Sequence, residues 1–187
     1  MVSNATVVYC YKLFKLNWYL NYRYLNIIVI LQTKMLINPE DIPEKITSNY
    51  PEEFKAFVAG RSKKRLGDAA GLQNFGVNLT KLAPGSCSAL RHWHTRQDEF
   101  IYILSGEIIL VTDEGEQILT PGTAAGFPAG VADGHHLINR SNSEAVYLEI
   151  GDRTPNDEVI YPDDDLVAKD SLKGWAFTHK DGRLYTS

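Results

Sequence analysis

Downstream of about residue 71, apolar and polar residues alternate with a period of two, the pattern of strands buried on one face. Eight short runs follow it, at roughly 74–82, 86–94, 99–104, 107–112, 116–120, 123–127, 135–140 and 144–150. Turn-forming sequences separate them: Pro84-Gly85, Ser105-Gly106, Asp113-Glu114-Gly115, Pro121-Gly122, Pro128-Ala129-Gly130 and Ser141-Asn142-Ser143. Short strands at such even spacing predict an all-β domain over residues 71–151, and an eight-stranded jelly-roll barrel is their natural closure.

The pattern changes on both sides of this block. Residues 35–70 read as an N-terminal arm. Pro51 followed by Glu52-Glu53 and ended by Gly60 predicts a brief helix. Arg61-Ser62-Lys63-Lys64-Arg65 reads as a solvated basic turn; with no helix-turn-helix pattern after it, a nucleic-acid partner is not expected. Residues 152–187 begin acidic and proline-bearing and turn aromatic at Trp175 and Phe177, which predicts a tail packing back on the barrel.

Composition sets residues 1–34 apart. They hold no Gly, Pro, Asp or Glu, in a chain of 187 residues with 14 Gly, 8 Pro and 23 acidic residues. Their apolar run at 25–31 is broken by Asn26 and falls short of the ~20 residues that span a bilayer, and no small-residue cleavage site follows it. The segment is expected to lie outside the fold, as a disordered leader or as sequence upstream of a translation start at Met35. The net charge of −4 gives the chain as a whole no attraction to polyanions. Cys10 and Cys87 are too few for a disulfide framework, so a reducing, cytoplasmic setting is expected.

Candidate chemistry is concentrated in two places. His92 and His94 stand two apart on a predicted strand and therefore share a face, opposite Arg91 and Trp93. Glu99 opens the next strand on the face that carries Ile101 and Ile103. Two histidines and an acid in this arrangement suit a divalent ion. The second place is His135-His136. If His136 faced inward, Arg140 would follow it into the interior unpaired, at high cost. His135 is thus the better ligand, with Leu137 and Asn139 on its face, and His136 is left outside.

These residues resemble the two motifs of the cupin superfamily. Gly85…His92-x-His94, Glu99 and Gly106 resemble the first motif, and Gly122, Pro128, Gly130, His135 and Asn139 the second. The Gly85–His92 spacing and the loop Val131-Ala132-Asp133-Gly134 are longer than the family pattern. Arg65-Leu66-Gly67-Asp68 and Asp133-Gly134-His135-His136 are similar to wording in small single-domain bacterial cupins. The resemblance implies a double-stranded β-helix barrel and a divalent metal (Fe, Mn, Ni or Zn) held by His92, His94, Glu99 and His135. Ile101, Ile103 and Leu137 would then line an apolar cavity, with Asn139 behind the ligands or in a turn.

Cupins include enzymes, storage proteins and ligand-sensing modules, so two functions are carried forward. The first is a metal-dependent enzyme on a small molecule, of dioxygenase or isomerase type; the second is a non-catalytic module that binds a small ligand or metal. No additional acid or base stands out. Tyr147 and Glu149 share a face of the last strand, but their neighbours Val146, Leu148 and Ile150 are the ones expected to point into the core. Trp93, Phe100, Tyr102 and Leu104 would point out of the barrel, which predicts a covered outer face and a homodimer. No membrane partner is expected.

Overall fold

The computed structural model describes residues 36–171 and 174–185; the expectation for residues 1–34 lies outside them. Among the described residues there are twelve strands and two one-turn helices. After a short 3₁₀ turn at Pro39–Asp41 come α1 (Glu52–Lys55), β1 (Arg61–Arg65), α2 (Leu66–Ala69) and β2 (Phe75–Leu82). The centre of the chain supplies β3 (Trp93–His94), β4 (Glu99–Ser105), β5 (Ile108–Thr112), β6 (Gly115–Leu119), β7 (Ala124–Phe127), β8 (His136–Ile138) and β9 (Ala145–Asp152). The tail adds β10 (Glu158–Tyr161), β11 (Leu166–Ser171) and β12 (Gly174–Thr178). Every strand pair is antiparallel. One sheet runs β1-β2-β9-β4-β7, a second β12-β11-β10-β3 and a third β6-β5-β8. The chain is therefore all-β and of jelly-roll type. No helix among the described residues is long and apolar enough to cross a membrane.

Three departures from the sequence reading matter for function. Arg61–Arg65 is not a turn but the edge strand β1, paired with β2 from Arg61↔Leu82 to Arg65↔Asn78. A run of charges gives no apolar period, so nothing local marks it as a strand; its state is set by the open edge of β2. The stretch 86–92 is irregular instead of a full strand, and it joins β8 through isolated bridges at Cys87↔Ile138 and His92↔His135. Finally, the inner face of β9 carries Tyr147 and Glu149. Tyr147 is 1% exposed, whereas Val146, Leu148 and Ile150 lie half-buried on the outer side.

The core has two parts. Leu82, Ile101, Ile103, Ile108, Leu110, Leu119, Leu137, Ala145 and Tyr147 pack as one buried cluster. Leu90, Val159, Tyr161, Leu166 and Ala168 form the other, covered by Tyr50, Phe54, Trp175 and Phe177 from the arm and the tail. A glycine holds one corner. Gly106 has φ +77°, and a Cβ there would meet the Ala145 Cα at 2.7 Å, so only glycine closes the β4–β5 turn against β9.

Candidate metal centre

Antiparallel pairing arranges the inner face of the large sheet in rows. Gly76, Gly151, Glu99 and Phe127 stand in register across β2, β9, β4 and β7. The next row is Arg65, Asn78, Glu149, Ile101 and Ala125, and the one after it Lys63, Thr80, Tyr147 and Ile103. Directly opposed residues point to the same side. Glu99 therefore faces inward with no side chain opposite it on β9, since Gly151 stands there.

Three imidazoles converge on that carboxylate. The Nε2 atoms of His135, His94 and His92 lie 3.1, 3.4 and 3.5 Å from Glu99 Oε2. One donor atom each from His92, Glu99 and His135 fit within 4.8 Å of one another. Two of the remaining ring nitrogens are employed elsewhere, while His135 Nδ1 is buried without a partner among the described residues. His92 Nδ1 donates to the Leu90 carbonyl at 2.8 Å, and His94 Nδ1 donates to Asp157 Oδ2 at 2.5 Å. Each bond requires a proton on Nδ1, so once an entering ion displaces the proton on Nε2 the lone pair there is aimed at the centre, in the tautomer that a metal requires.

Every histidine also has an aromatic neighbour. Phe127 lies flat on His135, with centroids 3.5 Å apart and 2° between planes. Tyr161 stacks on His92 at 5.8 Å, and Trp175 meets His94 edge-on at 6.2 Å. His135 and His136 divide as alternation requires. His135 points to Glu99, whereas His136 is on the far side of β8, stacked against Phe57. The loop before them is pinned: Arg91 pairs with Asp163 and Asp113, and Asp113 N donates to Asp133 Oδ1 at 2.7 Å.

The electrostatics prepare the site for a cation. Burial pushes the Glu99 carboxyl up, but hydrogen bonds from His135 and His92 and the field of His94 outweigh it and hold Glu99 well below the usual range. Burial pushes His135 down, toward the neutral form that coordinates. A charge-dense donor set of three imidazoles and one carboxylate, with orienting partners behind two of the imidazoles, fits a divalent ion.

Of the other residues singled out from sequence, Ile101 and Leu137 line the cavity beside the histidines, and Ile103 lies in the core below it. Asn139 is fully buried in a turn, donating to the Leu82 and Ser143 carbonyls at 2.8 Å and accepting from Ser141. Residues that sequence reasoning missed come from the tail and from β9. Asp157 is 1% exposed and also accepts from Thr95 Oγ1 and Arg96 N at 3.1 and 2.7 Å. Glu149 accepts from Lys63 Nζ at 2.7 and 2.8 Å and from Asn78 Nδ2 at 3.1 Å. Two-residue alternation in 145–150 was the available signal for Glu149, read with the wrong face inward. Asp157 left none, because its role depends on β10 docking beside β3.

The histidines, Glu99 and Glu149 all line one cavity of about 440 Å³, a volume within the range of small-molecule sites. The family model for the Cupin domain matches residues 78–151. A solved structure from Silicibacter pomeroyi, described as a sugar phosphate isomerase from a cupin superfamily, is 45% identical, with TM-score 0.78 over 81% of this chain and 97% of that one. A second, described as a putative sugar phosphate isomerase from Acidithiobacillus ferrooxidans, is 26% identical, with TM-score 0.69 over 82% of this chain and 97% of that one. The polyketide cyclase RemF from Streptomyces resistomycificus shares the fold at 20% identity and TM-score 0.53, over 63% of this chain and 78% of that one. No curated protein matches the chain.

Proposed function

The chain belongs to the cupin superfamily, and we propose that within it the protein is a metal-dependent isomerase acting on a small phosphorylated sugar. One observation carries the reading: three Nε2 atoms and Glu99 converge at the wall of a cavity that holds a second, independent carboxylate, Glu149. The likeness to two structures described as sugar phosphate isomerases supports the substrate class.

In this reading His92, His94, Glu99 and His135 hold the ion, which when bound acts as a Lewis acid toward the carbonyl and neighbouring hydroxyl oxygens of the sugar. The chain's own residues do the rest. Leu90 and Asp157 hold two imidazoles in the coordinating tautomer. Phe127, Tyr161 and Trp175 fix the rings and exclude water from them. Glu149 is the proton carrier. Burial pushes its carboxyl up, but the adjacent Lys63 ammonium outweighs this and keeps it ionised, while Asn78 orients it. It takes the proton from the carbon beside the carbonyl and returns it to the former carbonyl carbon. The hydroxyl proton passes between the two oxygens, so the isomer forms with no oxidant and no net proton change.

Metal analysis of the purified protein, followed by proton NMR in D₂O with a panel of phosphorylated aldoses and ketoses, tests this. Stoichiometric metal and deuterium at the carbon beside the carbonyl are expected, and Glu149→Gln should keep the metal while losing exchange. Exchange that survives chelation, or is unchanged in Glu149→Gln, would refute it.

The reading extends to assembly. Phe75, Phe100, Tyr102 and Leu104 are exposed on the outer face of the large sheet, beside the outward Val146, Leu148 and Ile150. We infer that a second copy covers this face. Light scattering should give a dimer mass, and Tyr102→Glu a monomer that still binds metal; a monomeric wild type would sink the idea.

A further inference from the structure

The strand read from sequence as a solvated turn presents a second feature to the cavity. Along β1, Arg61, Lys63 and Arg65 share the face that meets Leu82, Thr80 and Asn78 of β2. The intervening Lys64 turns the other way, to the Pro39 carbonyl at 3.0 Å. Lys45 joins the inward set. Its backbone exchanges two hydrogen bonds with Lys63, N to O at 2.8 Å and O to N at 3.0 Å, so the two lysines are directly opposed. All four cations line the cavity that contains the histidines.

Their neutralisation is incomplete. Lys63 is matched by Glu149, and Arg65 is 3.4 Å from Asp68, which also receives the Arg153 guanidinium. Arg61 donates to the Ser88 carbonyl, and Lys45 to the Asn49 side-chain oxygen at 3.3 Å; neither acceptor cancels a charge. Like charges directly opposed on paired strands are destabilising, and the chain's net charge of −4 shows that acids were available to relieve them. Burial and then the fields of Arg65, Arg61 and Lys63 push the Lys45 ammonium down, as expected where the repulsion is not relieved. A cluster that costs stability, inside a small-molecule cavity, points to an anion that completes it. Lysines as point charges and arginines as planar forks are the groups that grip a phosphate.

We propose that Lys45, Arg61 and Arg65, backed by the Lys63–Glu149 pair, form a phosphate subsite that binds the dianion of a phosphate monoester on the β1 side of the cavity, across β2 and β9 from Glu99 on β4. This rests on the sugar-phosphate reading only for what the rest of the ligand is. Strands β1 and β4 are three strand spacings apart, about 14 Å along the sheet, and side chains reaching inward from each shorten the gap to the length of a short phosphorylated sugar. The substrate would be fixed by its phosphate at one end and present its carbonyl end to the metal.

The test uses inorganic phosphate as probe, titrated by calorimetry into the full chain, metal-loaded and chelator-treated. Both forms should bind it, with affinity falling as salt rises. The double variant Lys45→Ala/Arg65→Ala should weaken binding about tenfold or more in both forms while metal content is unchanged. Should that variant melt early, Lys45→Gln alone, tied to the fold through its backbone, should give the same direction. Phosphate binding that disappears on chelation and ignores these substitutions would place the anion on the metal and overturn the proposal, as would no binding by any form. Phosphate binding in a protein that exchanges no sugar proton would leave the subsite standing and refute the isomerase.

Discussion

The two ends of the cavity are built on opposite terms. At the histidine end charge is answered by charge: three imidazoles meet Glu99, two of them have acceptors behind them, each has an aromatic neighbour, and only the buried His135 Nδ1 lacks a partner among these rings. At the cationic end two lysines are directly opposed, and two guanidinium groups flank them with partial compensation. The first arrangement needs only the removal of protons to receive a cation. The second lacks an anion. A site that is satisfied and a site that is strained make different demands on stability, and substitutions should separate them.

The largest effect is expected at the histidine end. His92→Ala or His94→Ala should abolish stoichiometric metal, and His135→Ala should be nearly as severe. His136→Ala, whose ring stacks on Phe57 on the other side of β8, should leave metal content unchanged. Metal analysis after gel filtration decides it, and the reverse outcome for the adjacent pair would show that the strand faces are misassigned.

Next comes Asp157→Asn. The buried carboxylate accepts from His94, Thr95 and Arg96, and losing charged hydrogen bonds of this kind costs about 1.5–3 kcal/mol. Metal affinity should fall roughly 10–100-fold through loss of the orienting partner. The pH dependence follows from the pair. Burial raises Asp157, but His94 and the Arg96 amide pull it below the usual carboxylate range. Burial lowers His94, but Asp157 and Glu99 push it above its ordinary value. The Asp157 contribution is full above the unfolded carboxyl value and is lost as pH falls through the depressed folded one. The His94 contribution is full below the unfolded imidazole value and is lost as pH rises through the raised folded one. Metal-free wild type should therefore exceed Asp157→Asn in melting temperature most in mildly acid solution. A gap that stays constant across pH would contradict the pairing.

Glu149→Gln is expected to have a smaller effect, about 1–3 kcal/mol, from leaving the Lys63 ammonium without its counter-charge. Because Glu149 is held below its ordinary value, the stabilisation is present above the unfolded carboxyl value and lost as pH falls through the folded one. Urea titrations of the two proteins should converge in acid and separate near neutrality.

The same contrast explains what could be read from the residues alone. His92, His94, Glu99 and His135 were legible because alternation assigns each to a face, and a misassignment would have buried Arg140. The cationic end was not legible. Arg61–Arg65 has no apolar period, and Lys45 lies in a loop whose backbone pairs with Lys63 through a single bridge. Glu149 was hidden because β9 is inverted. Val146, Leu148 and Ile150 face outward, and Tyr147 and Glu149 line the cavity, so the usual rule of apolar residues inward pointed the wrong way. Asp157, Tyr161 and Trp175 belong to a tail whose place beside β3 is a long-range pairing that no local pattern announces.

The smallest expected effect has the opposite sign, which makes it informative. Lys45→Gln removes one charge from a group of four like charges and sacrifices only a 3.3 Å contact with Asn49 on the surface. Since the folded state disfavours the charged form of Lys45, the substitution should stabilise the ligand-free protein slightly, by about 0.5 kcal/mol or less. Salt screens the repulsion over about 10 Å at 0.1 M, so the advantage of Lys45→Gln should shrink as ionic strength rises. Adding phosphate should reverse the order, because only the wild type then gains the anion's full binding energy. Melting temperatures of the two proteins across a salt series, with and without phosphate, measure all three. If Lys45→Gln is instead destabilising by more than about 1 kcal/mol at every salt concentration, the lysine is a structural member of the arm, and the cationic end is no more strained than the histidine end.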